Sequence, residues 1–181
     1  MKKGPRRTRQ REGIMHNELT EKDIRDMEKE IEYRKLVVRP KALEDVKTAR
    51  AHGDLSENFE YHAAKKFKNE NESRIRYLER MIRTANVITD DTADDEVGIN
   101  KKVTIYIPED DVEETYSIVS TIRENSLKHL ISVESPMGKA LLRHRAGETV
   151  TIRVNDSYSY DVEIRKVEEA TDADDASIRE F

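Results

Sequence analysis

Residues 52–61 read HGDLSENFEY and separate two long charged segments. A His-Gly-Asp run interrupts a long charged segment, and two acids, Asp54 and Glu57, follow three residues apart. Upstream, Thr20 is a good N-cap, and Glu21 and Asp23 suit the first turn of a helix. From there Ile24, Met27, Ile31, Val38, Ala42, Val46 and Ala49 recur at gaps of 3, 4, 7, 4, 4 and 3. That is a narrow apolar stripe near a heptad repeat. Pro40 lacks an amide donor and crowds the preceding turn, so a kink or short break is expected near residues 38–40. Gly53 suits a left-handed C-cap. Downstream, Ala64, Phe67, Asn71, Ile75, Leu78 and Ile82 recur at gaps of 3, 4, 4, 3 and 4. Two narrow-striped helices joined by a short turn must cover each other's stripe, which predicts an antiparallel coiled-coil hairpin. At about 1.5 Å per residue, its arms make a rod roughly 40–50 Å long. Asn71 falls on the seam, where a polar residue often fixes register.

Composition agrees with such a rod beside a small domain. Of 181 residues, 35% are hydrophobic and 39% charged, with a mean hydropathy of −0.88, too polar for one thick core. With no Cys in the chain, disulfides, Cys-based zinc sites and Cys nucleophiles are excluded, and a reducing compartment is expected. No apolar run approaches the roughly 18–20 residues of a membrane helix, and no apolar stretch follows the basic N-terminus as a secretory signal requires. The reading is a soluble cytoplasmic protein with no membrane partner. The first eleven residues carry Lys2, Lys3, Arg6, Arg7, Arg9 and Arg11 and no acid. Such an arm suits either a nucleic-acid contact or a solvated tail. The far end, rich in Asp and Glu, reads as a solubilising tail.

Beyond the acidic stretch 89–96, read as a linker or surface loop, the period changes to two. Val103, Ile105 and Ile107 alternate. Residues 115–119 carry Tyr116, Ile118 and Val119. Val150, Ile152 and Val154 alternate, and residues 158–167 offer Tyr158, Tyr160, Val162, Ile164 and Val167. These predict a small, mainly antiparallel sheet. PMGKALL, residues 136–142, predicts one short helix with Ser135 as N-cap and Pro136 at its first position. The organisation is α+β: a basic arm over 1–18, a helical hairpin over 19–85, a small α+β domain over 86–171 and an acidic tail over 172–181.

Asp54 and Glu57 admit two compatible readings. Asp-x-x-Glu at a helix start is similar to a capping box. Two carboxylates at the end of a rod also suit Mg²⁺, a hard cation of octahedral oxygen coordination. Alone they would hold it weakly and would need carboxylates or phosphates from another molecule. His52 and His62 flank the pair, but no HExxH zinc signature is present. Neither a glycine-rich phosphate loop nor a nucleophile elbow occurs, and His129, Ser132 and Ser135 lack the spaced acid of a hydrolase.

HGDLSENFEYHAAK, residues 52–65, resembles the Gre family of bacterial transcript cleavage factors, and LISVESPMGKALLRHRAGE, residues 130–148, is similar to that family's C-terminal domain. The resemblance spans roughly residues 18–170. It implies a coiled-coil hairpin followed by an FKBP-like domain. It further implies a factor that binds RNA polymerase, inserts the hairpin tip into the secondary channel and stimulates cleavage of the backtracked nascent RNA near its 3′ end. The chemistry is then the polymerase's, and the factor is not itself an enzyme. By position Asp54 and Glu57 are the acids that help hold Mg²⁺ jointly with the polymerase. Asn58, Glu60 and Tyr61 match the neighbouring tip motif, and Ser135, Pro136 and Met137 match the polymerase-docking surface. EYHAAK resembles the GreA subtype and SPMGKALL the GreB subtype. Phe59 stands where a small residue is expected and would pack on the polymerase or on its own hairpin. Asn155-Asp156-Ser157 turns the last strand pair without the expected glycine. A monomer is expected, because a self-covered hairpin needs no second copy.

Three other readings share parts of this sequence. A secondary-channel inhibitor would have the same fold with an unproductive tip. A prolyl isomerase would need an apolar, aromatic-lined pocket in the C-terminal half, which has no Trp. A general nucleic-acid-binding coiled coil would act through the basic arm.

Overall fold

The structure, a computed structural model, describes residues 17–51, 58–170 and Ile178. A short strand β1, Asn17–Leu19, leads into helix α1, Glu21–Tyr33. Thr20 caps α1 in a capping box in which its side chain accepts from the Asp23 amide while the Asp23 carboxylate accepts from the Thr20 amide. A five-residue π-helical turn, Arg34–Val38, follows, and α2 continues over Arg39–Arg50. The break expected at Pro40 is therefore a wide turn within one continuous arm. The Arg39 amide reaches back to the Arg34 carbonyl, and the extra residue in that turn relieves the crowding a proline ring imposes on the turn before it.

The returning arm is α3, Phe59–Arg83, of 25 residues, about 38 Å long at about 1.5 Å per residue. Cross-arm partners show that the arms run antiparallel: Lys35 meets Glu79, Arg39 meets Glu72 and Ala49 meets Asn58. The seam expected from the sequence is present. Met27, Ala42 and Ala49 are buried against an α3 face that includes Asn71, Ile75, Leu78 and Met81. Phe67, expected on the seam, is half-exposed. Between the arms, Arg74 makes a two-bond fork to Glu30 at 2.9 and 3.0 Å, and Arg39 makes one to Glu72 at 2.6 and 2.8 Å. Asn71, only 2% exposed, accepts from the Arg34 guanidinium at 3.2 Å. Polar clamps thus supplement a thin apolar stripe, which is how a chain this charged builds a rod.

At the base of the rod, strand β2, Ala85–Val87, pairs in parallel with β1. This small sheet joins residues read as part of the arm to residues on either side of the expected 85/86 boundary. The main sheet comprises β3 (Lys101–Ile107), β4 (Val112–Val119), β5 (Leu130–Ser132), β6 (Thr149–Arg153) and β7 (Ser159–Glu169). Their order is β5-β4-β3-β7-β6, antiparallel throughout except for the β4–β5 pair. Helix α4, Pro136–Leu141, begins as expected: the Ser135 hydroxyl accepts from the Gly138 amide. Gly138 is required, since a Cβ there would lie 2.0 Å from the Ser132 carbonyl oxygen. The core is aliphatic, including Val103, Ile105, Ile118, Leu141, Ile152 and Ile164. In the last hairpin the Asn155 carboxamide accepts from the Ser157 amide at 2.9 Å and hydroxyl at 3.0 Å, so an Asx turn replaces the expected glycine.

Candidate functional site: the far end of the rod

Asp54, Glu57, Gly53 and His52 lie outside the described residues; Ala51 and Asn58 flank them. Because α2 and α3 are antiparallel neighbours, the segment carrying the two acids is tethered on both sides to the end of the rod remote from the sheet. Asn58 makes that tether firm. Its carboxamide oxygen accepts from the Tyr61 amide at 2.9 Å, and its nitrogen donates to the Ala49 carbonyl at 2.8 Å. One side chain therefore caps α3 and ties the two arms together. This corrects the expectation that Asp54 and Glu57 form the capping box of the second helix: α3 starts at Phe59 and its cap is Asn58.

The remaining described tip residues divide by exposure. Phe59 is 87% exposed, so it does not staple to its own hairpin. Glu60 is exposed. Tyr61 lies half-buried in a cationic setting, with Arg50 and Lys65 each 5.9 Å from its ring centre and His62 edge-on at 5.6 Å. A hydrogen bond from Arg50 and the charge of Lys65 hold its phenol below the usual pKa. The rod end thus pairs an electropositive flank with a segment bearing two carboxylates.

The second group of sequence-predicted residues sits at the start of α4. The Ser135 hydroxyl donates to the Ser132 carbonyl at 2.7 Å while capping the helix, Pro136 is exposed, and Met137 is half-buried against the sheet core. The segment is thus a rigid surface feature of the sheet domain. A cavity of about 150 Å³ beside it is lined by Ile88, Asp90, Ile99, Val133, Leu142 and neighbouring residues, none aromatic. It is far below the roughly 300–1,000 Å³ of small-molecule pockets, so the aromatic-lined pocket of a prolyl isomerase is not what this cavity provides.

The sequence reading missed the joint between the rod and the sheet domain. The Asp23 carboxylate accepts from the Arg123 guanidinium, whose other arm donates to Asp26 at 2.8 Å. Asp23 and Arg123 are both buried, their side chains 1% and 6% exposed. Burial alone would raise the pKa of Asp23, but the Thr20 amide and Arg123 outweigh it and hold the carboxyl below its usual value. Beside this pair, Ile122 enters an apolar cluster with Leu19, Met27, Leu78 and Met81, and Ile178 of the acidic tail packs on the same cluster. The one available signal was an Asp in the first helical turn, which capping had already explained.

Residues 17–87 match the family model of the transcription elongation factor N-terminal domain (GreA/GreB), and residues 92–169 match that of the GreA/GreB C-terminal domain. A helical hairpin followed by a small sheet domain, each matching its half of the family, defines the class, and the chain belongs to the GreA/GreB family of transcription elongation factors. Among its relatives, transcription elongation factor GreA of Streptococcus pneumoniae (serotype 19F, strain G54) is 44% identical over 151 residues, covering 83% of this chain and 94% of the relative. Among solved structures, GreA factor homolog 1 of Thermus thermophilus aligns at 22% identity over 84% of this chain and 99% of the other, with a TM-score of 0.39. The GreA/GreB factor from Nitrosomonas europaea aligns at 16% identity over 84% and 98%, with a TM-score of 0.37.

Proposed function

We propose that this chain binds RNA polymerase, inserts the far end of its rod into the secondary channel, and stimulates endonucleolytic cleavage of backtracked nascent RNA. In this reading the catalytic centre is the polymerase's own, and Asp54 and Glu57 lend it negative oxygens. The observation that carries the proposal is the placement of these acids between Ala51 and Asn58. There the Asn58 bonds join the two arms at the end of a rod about 38 Å long, a length that a capping turn alone does not explain.

The donor set fits Mg²⁺, because carboxylate oxygens are the hard ligands it prefers. Among the described residues no group of three or more His, Asp or Glu side chains is placed to hold a cation. Two carboxylates leave most of an octahedral shell open, so Asp54 and Glu57 would share the ion with polymerase ligands. When bound, Mg²⁺ would neutralise charge on the phosphoryl oxygens of the scissile bond. The contribution of this chain is delivery: the rod spans the distance, Asn58 holds the end closed, and Glu60 and Tyr61 shape its flank. Ser135, Pro136 and Met137 would anchor the sheet domain outside the channel.

The test is RNA cleavage by stalled elongation complexes with Asp54→Ala and Glu57→Ala variants. Each should bind polymerase within about twofold of the parent yet lose about tenfold or more in cleavage rate, about 1.4 kcal/mol of transition-state stabilisation per decade. Equal loss of binding and cleavage would assign the acids a structural role. Absence of cleavage with the parent protein would favour the channel-blocking inhibitor.

A further inference from the structure

We propose that Arg123 is a positioning residue that aims the rod relative to the polymerase-docking segment of the sheet domain. The inference rests on the function proposed above for its consequence, and on the structure alone for the joint.

Arg123 ends a 3₁₀ turn, Thr121–Arg123, that follows β4. Its guanidinium spans two carboxylates on α1, Asp23 and Asp26, one turn apart along the rod. A planar fork gripping two successive acids fixes direction as well as distance, which a single point charge cannot do. Asp23 is at once the capping-box residue of α1 and the acceptor for Arg123, so the axis of the rod and the position of the sheet domain are set by one carboxylate. Ile122, 1% exposed, plugs the apolar cluster at the base of the rod and resists sliding. From the same turn, the Thr121 hydroxyl donates to Glu134 at 3.1 Å, and Glu134 directly precedes Ser135 and Pro136. The proposed docking segment and the rod are thereby connected through three consecutive residues.

Leverage makes the joint matter. With a rod of about 38 Å, a rotation of about 6° at its base moves the far end by about 4 Å. Misplacement of a reacting group by about 1 Å can cost about 100-fold in rate. A slack joint would leave docking intact and misdirect the acids.

The test uses the full chain with paired spin labels at Lys66→Cys on α3 and Asp156→Cys on the β6–β7 turn, which is clean because the chain has no native Cys. The perturbing variant is Asp23→Asn combined with Arg123→Met. It removes both buried charges together and keeps a carbonyl to accept from the Thr20 amide, and the Asp26 carboxylate it releases is partly exposed and lies near Lys29, so no buried ion is left unpaired. Arg123→Lys, which keeps the charge but not the fork, is the milder second variant. The parent should give one narrow label distance; Arg123→Lys should broaden it and the double variant broaden it further, with helix content preserved. On stalled complexes the half-saturating concentration should stay within about twofold while the maximal cleavage rate falls about tenfold or more. Should the double variant lose helix content, Arg123→Lys decides. An unchanged distance distribution in the deciding variant overturns the joint. A broadened distribution with undiminished maximal cleavage overturns the positioning role. If Asp54→Ala also leaves cleavage unchanged, the proposed function fails, and the label distances still judge the joint.

Discussion

Between the arms of the hairpin, the buried residues include Asn71 and Arg74, with Glu30 reaching in to pair with Arg74 and Arg34. Between the main sheet and α4 the core is Val, Ile and Leu, and the buried charge of the sheet domain, Lys101, lies outside it and is satisfied by the Ala93 and Glu96 backbone carbonyls. The contrast follows from thickness. A sheet covered by a helix can exclude water from a whole layer, and aliphatic packing then suffices. Two helices alone cannot, so the rod takes much of its specificity from forked ion pairs whose geometry selects one register. Such pairs are conditional on protonation state and salt, whereas aliphatic packing is not. The rod is therefore expected to respond to pH and salt more strongly than the aliphatic core of the sheet domain.

The strongest way to break the comparison is in the sheet core. Ile105→Ala removes a fully buried side chain on the central strand and should lower stability by about 2–5 kcal/mol in denaturant unfolding. In the rod, Glu30→Gln keeps the shape but removes the charge shared by Arg34 and Arg74; about 1–3 kcal/mol should be lost. Replacing both partners, Glu30→Leu with Arg74→Met, should recover most of that loss, since the buried pair goes together and the remaining Arg34 is partly exposed and keeps its bond to Asn71.

Acid should separate the two regions without mutation. Burial works to raise the pKa of Glu30, but Arg74 and Arg34 prevail and lower it; Asp23 is likewise lowered. A carboxylate whose folded pKa is depressed contributes stability that is complete above its unfolded pKa and is lost as pH falls through the folded value. Helical far-UV signal should therefore begin to weaken below about pH 4.5, ahead of the loss of amide-exchange protection in the strands of the sheet domain. Simultaneous loss would show that the two share one unfolding transition.

Smaller effects are expected toward the far end. Asn58→Ala removes the cap of α3 and its bond to Ala49 and should cost about 0.5–2 kcal/mol, seen as faster amide exchange confined to that end. Glu70→Ala, which deletes an exposed pair with Lys66, should change stability by less than about 0.5 kcal/mol.

What the sequence disclosed was what is local. The apolar spacing of Met27, Ala42, Ala49, Ile75 and Leu78 predicts the seam, and Ser135-Pro136 predicts the start of α4, because each depends on neighbours a few residues away. Long-range pairing was not legible. Asp23 and Arg123 are separated by 100 residues, and nothing in either stretch indicates the other. The parallel pairing of β1 with β2 was hidden in three-residue strands too short to show a period. At the candidate site, Asn58 was read as part of a tip motif and proved to be the cap. The roles of Asp54 and Glu57, outside the described residues, rest on position in the sequence and on the family.

The π-helical turn at Arg34–Val38 lets the arm carry one residue more than ordinary winding would hold, so a single codon can be gained or lost there without turning the outer rod. Excising one residue there would restore ordinary helical winding and leave the azimuth of everything beyond it nearly unchanged, because the wide turn already absorbs the extra residue. Homologues with and without this turn would present the same side of the spike to whatever surrounds it.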